Sequence, residues 1–268
     1  MIINIESIQG HRDYMEDNFN YIESNGIFVA MICDGHGGAK VSEDTAKTLP
    51  QILLHKMTET KSATNISIAE QIRNVIIDWG FKLKGYSSGS TLTGVIIKNN
   101  ILFIFNVGDS RTCMQLKPNS FVYHLDPMFD NDGVFIDKLK VAYNTSTFFC
   151  TDDHNADSAI ERTRVVNKGG QLIGGRLNGI LSLTRALGDY DIGAGLSFVP
   201  DIYWCSFDKL AGPIILMSDG AYEQERNARD LSTMQRLYNI GAKLGPKVLV
   251  KHAYEKGSED NITVMRIA

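Results

Sequence analysis

The sequence predicts an α+β fold in which strands and helices form separate layers. Three observations support this fold class. Strand-like runs dominate the first third of the chain, at Ile2–Ile8, Asn18–Glu23 and Ile27–Cys33. The predicted helices come in pairs, first within residues 39–84 and again within residues 228–254. Grouped strands and paired helices are typical of layered α+β domains, whereas a parallel α/β sheet alternates the two.

The strand Ile27–Cys33 is almost entirely apolar, which is typical of a strand buried on both faces. A hairpin is expected across Lys98–Asn100, because the runs on either side are strand-like. The other predicted elements are the helices Ala39–Met57, Ile66–Lys84 and Asp157–Lys168, two helices within residues 228–254, and the strands Thr91–Ile97, Ile101–Val107, Ser120–Leu125, Lys140–Tyr143, Thr147–Cys150, Ser197–Phe207, Pro213–Met217 and Ile262–Ile267.

Composition indicates an ordinary soluble protein. The 268 residues are 43% hydrophobic and 22% charged, with a net charge of −4. No dense Lys/Arg tract is present, so we expect neither nucleic-acid binding nor membrane-surface binding. No apolar run approaches the ~20 residues that span a bilayer. We expect a single domain over residues 1–268, acting as a monomer.

The start of the chain lacks the basic and apolar regions of a signal peptide. The four cysteines contain no C-x-x-C pair, so neither a disulfide framework nor a zinc site is predicted. We therefore expect a cytoplasmic or otherwise intracellular, reducing compartment.

Acidic residues stand where predicted strands meet turns. Asp34 follows the apolar strand Ile27–Cys33, and Asp219 follows the apolar run Ile214–Met217. A carboxylate at the end of such a strand is costly to desolvate without a partner. An Asp-Gly turn explains any one of them equally well. Together with further carboxylates before the second and last strands, they favour a site for Mg²⁺ or Mn²⁺, which prefer oxygen ligands.

Eight short segments stand in order along nearly the whole chain, namely Arg12–Asp17, Asp34–Gly38, Gly89–Thr91, Gly108–Arg111, Thr151–His154, Leu183–Asp189, Ser218–Gly220 and Gly257–Asn261. Together they resemble the metal-dependent type 2C serine/threonine protein phosphatases. The resemblance implies a four-layer αββα sandwich, in which two antiparallel β-sheets carry helix pairs on both outer faces. The pattern of elements is compatible with that architecture but does not specify it.

The resemblance also implies two divalent cations, Mg²⁺ or Mn²⁺, in one active site. Asp34 would bridge both cations, and the Gly35 carbonyl would bind one of them. The second cation would be held by Asp219 and Asp260. A hydroxide between the metals would attack phosphorus in line, because metal coordination lowers the pKa of bound water.

The remaining implied roles belong to residues around the metals. Glu16 and Asp17 would act mostly through metal-bound waters. Arg12 would bind the phosphate oxygens with its planar guanidinium. His36 would be the general acid for the departing oxygen, with a metal ligand or a turn histidine as alternatives. Asp109 matches a position that helps hold a weaker third metal, unless it only caps a turn.

Phosphorylated proteins are the implied substrates. Two other functions stay open, namely a catalytically inactive member that acts as a scaffold or regulatory binding protein, and a hydrolase of small phosphoesters. The presence of Asp34, Asp219 and Asp260 favours an active enzyme, since an inactive member would be expected to lose metal carboxylates.

Two departures from the family pattern stand out. Glu223 occupies a position, four residues after Asp219, that is usually aspartate. The segment 112–150 is longer than its usual counterpart, a simple hairpin. Its run Asp130–Gly133 suggests a calcium loop, but Met128 and Leu139 would then occupy the first and twelfth ligand positions, which excludes an EF-hand.

We expect the 112–150 segment to take no part in the chemistry. From Asp109 the chain should leave along a strand through Cys113 and Leu116, reaching about 20 Å from the site. The additional residues are then predicted at the far end of the sandwich. Their aromatic residues favour covering a sheet edge or docking a protein partner, and a tolerated surface insertion is an equal alternative.

Overall fold

The structure is a computed structural model that describes residues 1–60, 63–129, 135–143 and 147–268. The calcium-like run Asp130–Gly133 lies outside the described residues. The strands are β1 (Ile3–Ile8), β2 (Asn18–Ser24), β3 (Ile27–Cys33), β4 (Gly35–His36), β5 (Gly89–Ser90), β6 (Leu92–Lys98), β7 (Ile101–Val107), β8 (Arg111–Leu116), β9 (Val122–Phe129), β10 (Phe135–Tyr143), β11 (Phe148–Cys150), β12 (Leu172–Ile173), β13 (Arg176–Leu177), β14 (Leu187–Gly188), β15 (Asp201–Ser206), β16 (Leu210–Met217) and β17 (Ile262–Ile267). The helices are α1 (Lys40–Glu59), α2 (Asn65–Lys82), α3 (Ala159–Asn167), α4 (Leu231–Leu244) and α5 (Pro246–Glu255).

Two large antiparallel sheets form the centre of the molecule. In the described part of the chain, one sheet has seven strands in the order β10-β9-β15-β7-β6-β3-β2, and the other has five in the order β1-β17-β16-β8-β11. Between the sheets, buried residues of β3 such as Phe28 and Ile32 form one apolar cluster with Leu216 and Met265 of the second sheet. The sheets therefore pack face to face.

The helix pairs cover the outer faces. Helices α1 and α2 pack on the seven-stranded sheet in a cluster that includes Leu49, Ile72 and Phe103. Helices α4 and α5 pack on the five-stranded sheet, where Leu237 belongs to the same cluster as Val264. The predicted four-layer αββα sandwich is confirmed.

The residues of β3 explain why this strand is apolar throughout. Val29, Met31 and Cys33 belong to the cluster beneath the helices, whereas Phe28 and Ile32 belong to the cluster between the sheets. Because side chains alternate between the two faces of a strand, a sheet covered on both sides needs apolar residues at every position. The bounds of β3 and β17 agree with the sequence prediction.

The two sheets place the candidate acidic residues at one end of the sandwich. β3 ends immediately before Asp34, and β16 ends two residues before Asp219. Met217 pairs with Val264 of β17, and β17 begins two residues after Asp260. The strand ends and starts that carry these carboxylates therefore lie side by side.

The 112–150 segment differs from the prediction in one respect. β8 leaves the site and pairs with β11 on its return, as expected. Between them, however, β9 joins the other sheet, and Leu125 lies opposite Ile202 of β15. β9 thus runs back towards the end of the sandwich that carries the acidic residues. It is the fourth strand from β3 in the sheet, so the two strands are about 19 Å apart. The expectation that the additional residues lie at the far end is therefore wrong. β9 pairs with the edge of β15, and in this position the apolar side chains of Val122 and Leu125 are buried.

Candidate metal centre and phosphate site

Asp34 lies among four other carboxylates. Its backbone N–H donates to Thr91 Oγ1 (3.1 Å), and its carbonyl accepts from Thr91 N (2.8 Å), so β3 and the residue before β6 fix its position. Burial, followed by repulsion from its neighbours, raises the pKa of Asp34 well above its ordinary value. The neighbouring carboxylates are those of Asp17, Asp109, Asp219 and Asp260.

Asp219, Glu223 and Asp260 form a compact carboxylate group. One oxygen of each lies within 4.8 Å of the others. Burial and repulsion from Asp260 raise the pKa of Asp219 to about 7. Glu223 Oε1 accepts hydrogen bonds from the hydroxyl of Ser258 (2.7 Å) and the backbone N–H of Glu259 (3.2 Å). Glutamate therefore fits at a position where the family usually has aspartate, and these two donors hold it in place.

Asp17 lies behind this group and is buried. Its Oδ2 accepts from the Ser218 hydroxyl (2.9 Å), and burial raises its pKa to about 6. Within the described residues, Oδ1 of Asp17 and Oδ1 of Asp219 are buried without a hydrogen-bond partner. Buried, unpaired and mutually repelling carboxylate oxygens fit a hard divalent cation such as Mg²⁺ or Mn²⁺, which would satisfy them and offset their charge.

Glu16 holds the turn that follows β3. Its Oε1 accepts from the backbone N–H of Gly38 (2.6 Å), and its carbonyl accepts from the Ser42 hydroxyl (2.6 Å). A Cβ on Gly35 would lie 2.5 Å from both the Glu16 carbonyl oxygen and Ser42 Oγ, so only glycine fits there. The roles of Glu16 through bound water and of the Gly35 carbonyl as a ligand stay predictions.

Arg12 lies at the edge of the acidic group, with half of its side chain exposed. Its Nη2 donates to Asp260 Oδ2 (2.6 Å), while Asp260 Oδ1 accepts from the backbone N–H of Asn261 (2.7 Å). This guanidinium is already directed at the metal-binding candidates. A phosphate bound there would share it with Asp260 or replace Asp260 as its partner.

His36 is paired with Asp189, a residue to which the sequence analysis gave no role. A small sheet brings them together, because β5 pairs with β4 on one side and with β14, which ends just before Asp189, on the other. His36 Nε2 lies 2.5 Å from Asp189 Oδ2. A Cβ on Gly89 would overlap both side chains. The available signal was the position of Asp189 at the end of a family-like segment.

Asp109 lies at the side of the acidic group nearest to β8. Burial and repulsion from Asp219 and Asp153 raise its pKa well above the ordinary value. The hydroxyl of Tyr222 donates to the Asp109 carbonyl. Arg111 stacks on the Tyr222 ring (3.9 Å to its centre) and binds Asp153 through two hydrogen bonds of 2.7 Å. Asp109 is therefore near enough to Asp219 for their charges to repel, and its role in holding a cation stays a prediction.

The family model of Protein phosphatase 2C matches residues 3–262 of the chain. The chain belongs to this family.

Relatives of known name agree with this membership. Protein phosphatase 1L of Bos taurus is 30% identical, over 97% of this chain and 70% of its own length. Probable protein phosphatase 2C 76 of Arabidopsis thaliana is 26% identical, over 96% of this chain and 56% of its own length. The chain thus spans little more than half of the Arabidopsis relative.

Solved structures share the fold. A Caenorhabditis elegans sex determining protein superposes with a TM-score of 0.71 at 23% identity, covering 99% of this chain and 64% of its own. A phosphatase from Toxoplasma gondii superposes with a TM-score of 0.69 at 18% identity, covering 99% and 92%. At these identities the likeness establishes the protein phosphatase 2C fold alone.

A buried ionic network supports the segment that ends in Asp189 of this protein phosphatase 2C chain. Arg185 donates to Glu161 Oε1 (2.6 Å) and to Asp201 Oδ1 (2.8 Å), and Arg164 donates to Glu161 Oε2 (2.8 Å). Burial opposes ionisation of Glu161, but the two arginines and His154 outweigh it and lower its pKa. No local sequence pattern indicates this network, because its members come from α3, β15 and a loop.

Among the described residues, no helix has the length and apolar character needed to cross a membrane.

Proposed function

We propose that this chain is a protein serine/threonine phosphatase that hydrolyses phosphoserine and phosphothreonine with two divalent cations, Mg²⁺ or Mn²⁺. The observation that supports it best is the buried group of repelling carboxylates beside Arg12 and the His36–Asp189 pair. A group of carboxylates alone would repel phosphate, so the group makes chemical sense when cations occupy it.

Asp34, Asp219 and Asp260 are the proposed direct ligands, with the Gly35 carbonyl beside Asp34. Asp17 and Glu16 act from behind them through bound water. When bound, the cations would lower the pKa of a water molecule and offset the charge of the phosphate. Asp109, with Asp219, would hold a weaker third cation.

Arg12 binds the phosphate oxygens. Its guanidinium has a planar set of donors that matches two oxygens of a phosphate, which lysine cannot reproduce. Its present partner, Asp260, becomes a metal ligand in this proposal, so Arg12 is free to turn to the substrate.

His36 protonates the departing serine or threonine oxygen. In this proposal Nε2–H of His36 donates to Oδ2 of Asp189, because a carboxylate oxygen is a hydrogen-bond acceptor. This fixes the ring and leaves Nδ1 as the nitrogen that delivers a proton. Asp189 positions the acid and does not touch the substrate.

Hydrolysis of a phosphothreonine peptide, measured with Mn²⁺ and again with EDTA, tests the proposal. Activity should require the metal and return when Mn²⁺ is restored in excess. Asp78→Asn, an exposed change on α2, serves as the control and should behave like the parent. Activity that persists in EDTA would refute the metal mechanism, and a folded protein without activity under any metal would favour the scaffold function.

Hydrolysis of p-nitrophenyl phosphate without hydrolysis of the peptide would favour a small-phosphoester hydrolase. We further propose phosphorylated proteins as substrates, a monomeric state, a reducing intracellular compartment, and a partner surface on the 112–150 segment.

A further inference from the structure

Cys113 of β8 and Cys150 of β11 lie directly opposite each other in the five-stranded sheet. Their sulfur atoms are 2.8 Å apart, and both are free thiols. We propose that this pair is a modification site, at which a hydroperoxide oxidises the two thiols to a reversible Cys113–Cys150 disulfide.

The backbone register brings these two residues into the closer kind of antiparallel pair. Thr151 N donates to the Thr112 carbonyl (3.1 Å), and Leu116 N donates to the Thr147 carbonyl (2.7 Å). Hydrogen-bonded and non-hydrogen-bonded pairs alternate along such a ladder, so Cys113 and Cys150 form a non-hydrogen-bonded pair. Cα atoms in these pairs are about 4.5 Å apart, within the range of about 4.4–6.8 Å found in disulfides. The bond can therefore close without moving either strand.

Only one of the two sulfurs has a route to solvent. Cys150 is partly exposed and lines an open cleft of about 590 Å³, together with Asp153 and His154. Cys113 is fully buried, and burial raises the pKa of its thiol. Peroxide in the cleft therefore reaches Cys150 first, whereas the buried Cys113 reacts only afterwards, with the oxidised Cys150.

The chemistry then follows in two balanced steps. The sulfur of Cys150 attacks one oxygen of hydrogen peroxide, the O–O bond breaks, and a sulfenic acid and one water form. The sulfur of Cys113 attacks the Cys150 sulfur, the S–O bond breaks, and a second water leaves with the thiol proton. Two thiols are oxidised by two electrons in total, and one peroxide is reduced to two waters.

The other two cysteines serve as internal controls. Cys33 belongs to the apolar cluster under α1 and α2, and Cys205 to the cluster between the sheets. Both are fully buried, and among the described residues no sulfur-to-sulfur contact involves them. They should stay reduced under conditions that oxidise the proposed pair.

Peptide mapping of the folded protein after treatment with hydrogen peroxide tests the proposal. We expect loss of two of the four free thiols, a peptide that joins Cys113 to Cys150, and full recovery of both thiols with dithiothreitol. After the same peroxide treatment, the variant Cys150→Ser, changed at the partly exposed position, should keep its three remaining thiols reduced. The wild-type map decides the matter even if that variant folds poorly.

Two results would overturn the proposal. One is a sulfinic acid at Cys150 with Cys113 still reduced, which would mean that the sulfurs do not meet. The other is recovery of all four thiols under conditions that fully oxidise glutathione, which would mean that peroxide does not reach Cys150.

Discussion

His36 Nε2 lies 2.5 Å from Oδ2 of Asp189, which is 153 residues further along the chain. Asp189 is buried and has a left-handed backbone (φ 53°), a conformation that aspartate adopts more readily than most residues. The small sheet of β4, β5 and β14 holds both residues in this arrangement. The proposed acid thus has a fixed carboxylate partner.

Asp189→Asn should slow hydrolysis of a phosphothreonine peptide by about 10-fold or more, a part of the about 10²–10⁴-fold that general acid catalysis contributes. The amide cannot offset the positive charge of a doubly protonated ring, and it can hold the ring in the other tautomer. Steady-state kcat on the peptide is the measurement, and Asp191→Asn, at an exposed position two residues away, is the matched control. If both variants keep the parental kcat, the pair is only structural.

His36→Ala should slow substrates with poor leaving groups far more than p-nitrophenyl phosphate. A serine or threonine alkoxide needs a proton to depart, whereas nitrophenolate leaves without one. The ratio of kcat values on the peptide and on p-nitrophenyl phosphate should fall by about 10²-fold or more. Equal losses on the two substrates would instead assign His36 to metal binding or to structure.

Asp219→Asn should abolish turnover and stabilise the metal-free protein. The folded pKa of Asp219 is about 7 against an ordinary 3.8, so its proton stabilises the metal-free fold. That contribution is complete below about pH 4 and is lost as the pH rises through about 7. In EDTA, the Tm of the parent should therefore fall from about pH 5 to about pH 8, and the variant should show a smaller fall.

Thermal unfolding in EDTA across this pH range measures the effect, with Asp78→Asn as the control. Added Mn²⁺ should raise the Tm of the parent at high pH and raise that of Asp219→Asn less. A variant with the same pH dependence as the parent would contradict the proposed carboxylate repulsion.

Glu225→Gln should destabilise the protein by about 1–3 kcal/mol at neutral pH. Glu225 accepts from His252 (3.1 Å), Lys256 (2.8 Å) and Arg236 (2.7 Å), which joins the loop after Asp219 to α4 and α5. Burial would raise its pKa, but these hydrogen bonds outweigh burial and lower the pKa to about 2. The stabilisation is therefore complete above about pH 4.5 and is lost as the pH falls through about 2.

Urea unfolding at several pH values is the measurement for Glu225→Gln. The difference between variant and parent should shrink as the pH falls below about 4.5. Glu255→Gln, which affects an exposed pair with Lys251, is the control and should change stability by less than about 0.5 kcal/mol. Similar effects of the two substitutions would show that the hydrogen bonds of Glu225 add no stability.

Leu125→Ala should destabilise the protein by about 2–5 kcal/mol, because this side chain is 1% exposed in the apolar cluster that also contains Ile202. Phe121→Ala, at a half-exposed position just before β9, should cost much less. Replacing residues 118–142 by a short Gly-Ser turn would remove β9 and should impair folding. A well-folded deletion variant would show that β9 is dispensable for the sheet.

Local patterns in the sequence determined much of the architecture. The apolar run of β3 predicted burial on both faces, and the aspartates after β3 and β16 predicted a cation site. Gly245 and Pro246 separate α4 from α5. Proline suits the first position of α5, and Gly245, just before it, adopts a positive φ of 93°. These signals depend on side-chain periodicity and turn chemistry within a few residues.

The tertiary structure alone decided which distant residues meet. The residues of β9 predicted a strand, but their pattern did not indicate whether this strand would pair with β15 or with β8. Neither the His36–Asp189 pair nor the Cys113–Cys150 contact follows from any local pattern. Such contacts depend on which strand edges are open and on how much apolar area each pairing buries, and these are properties of the whole chain.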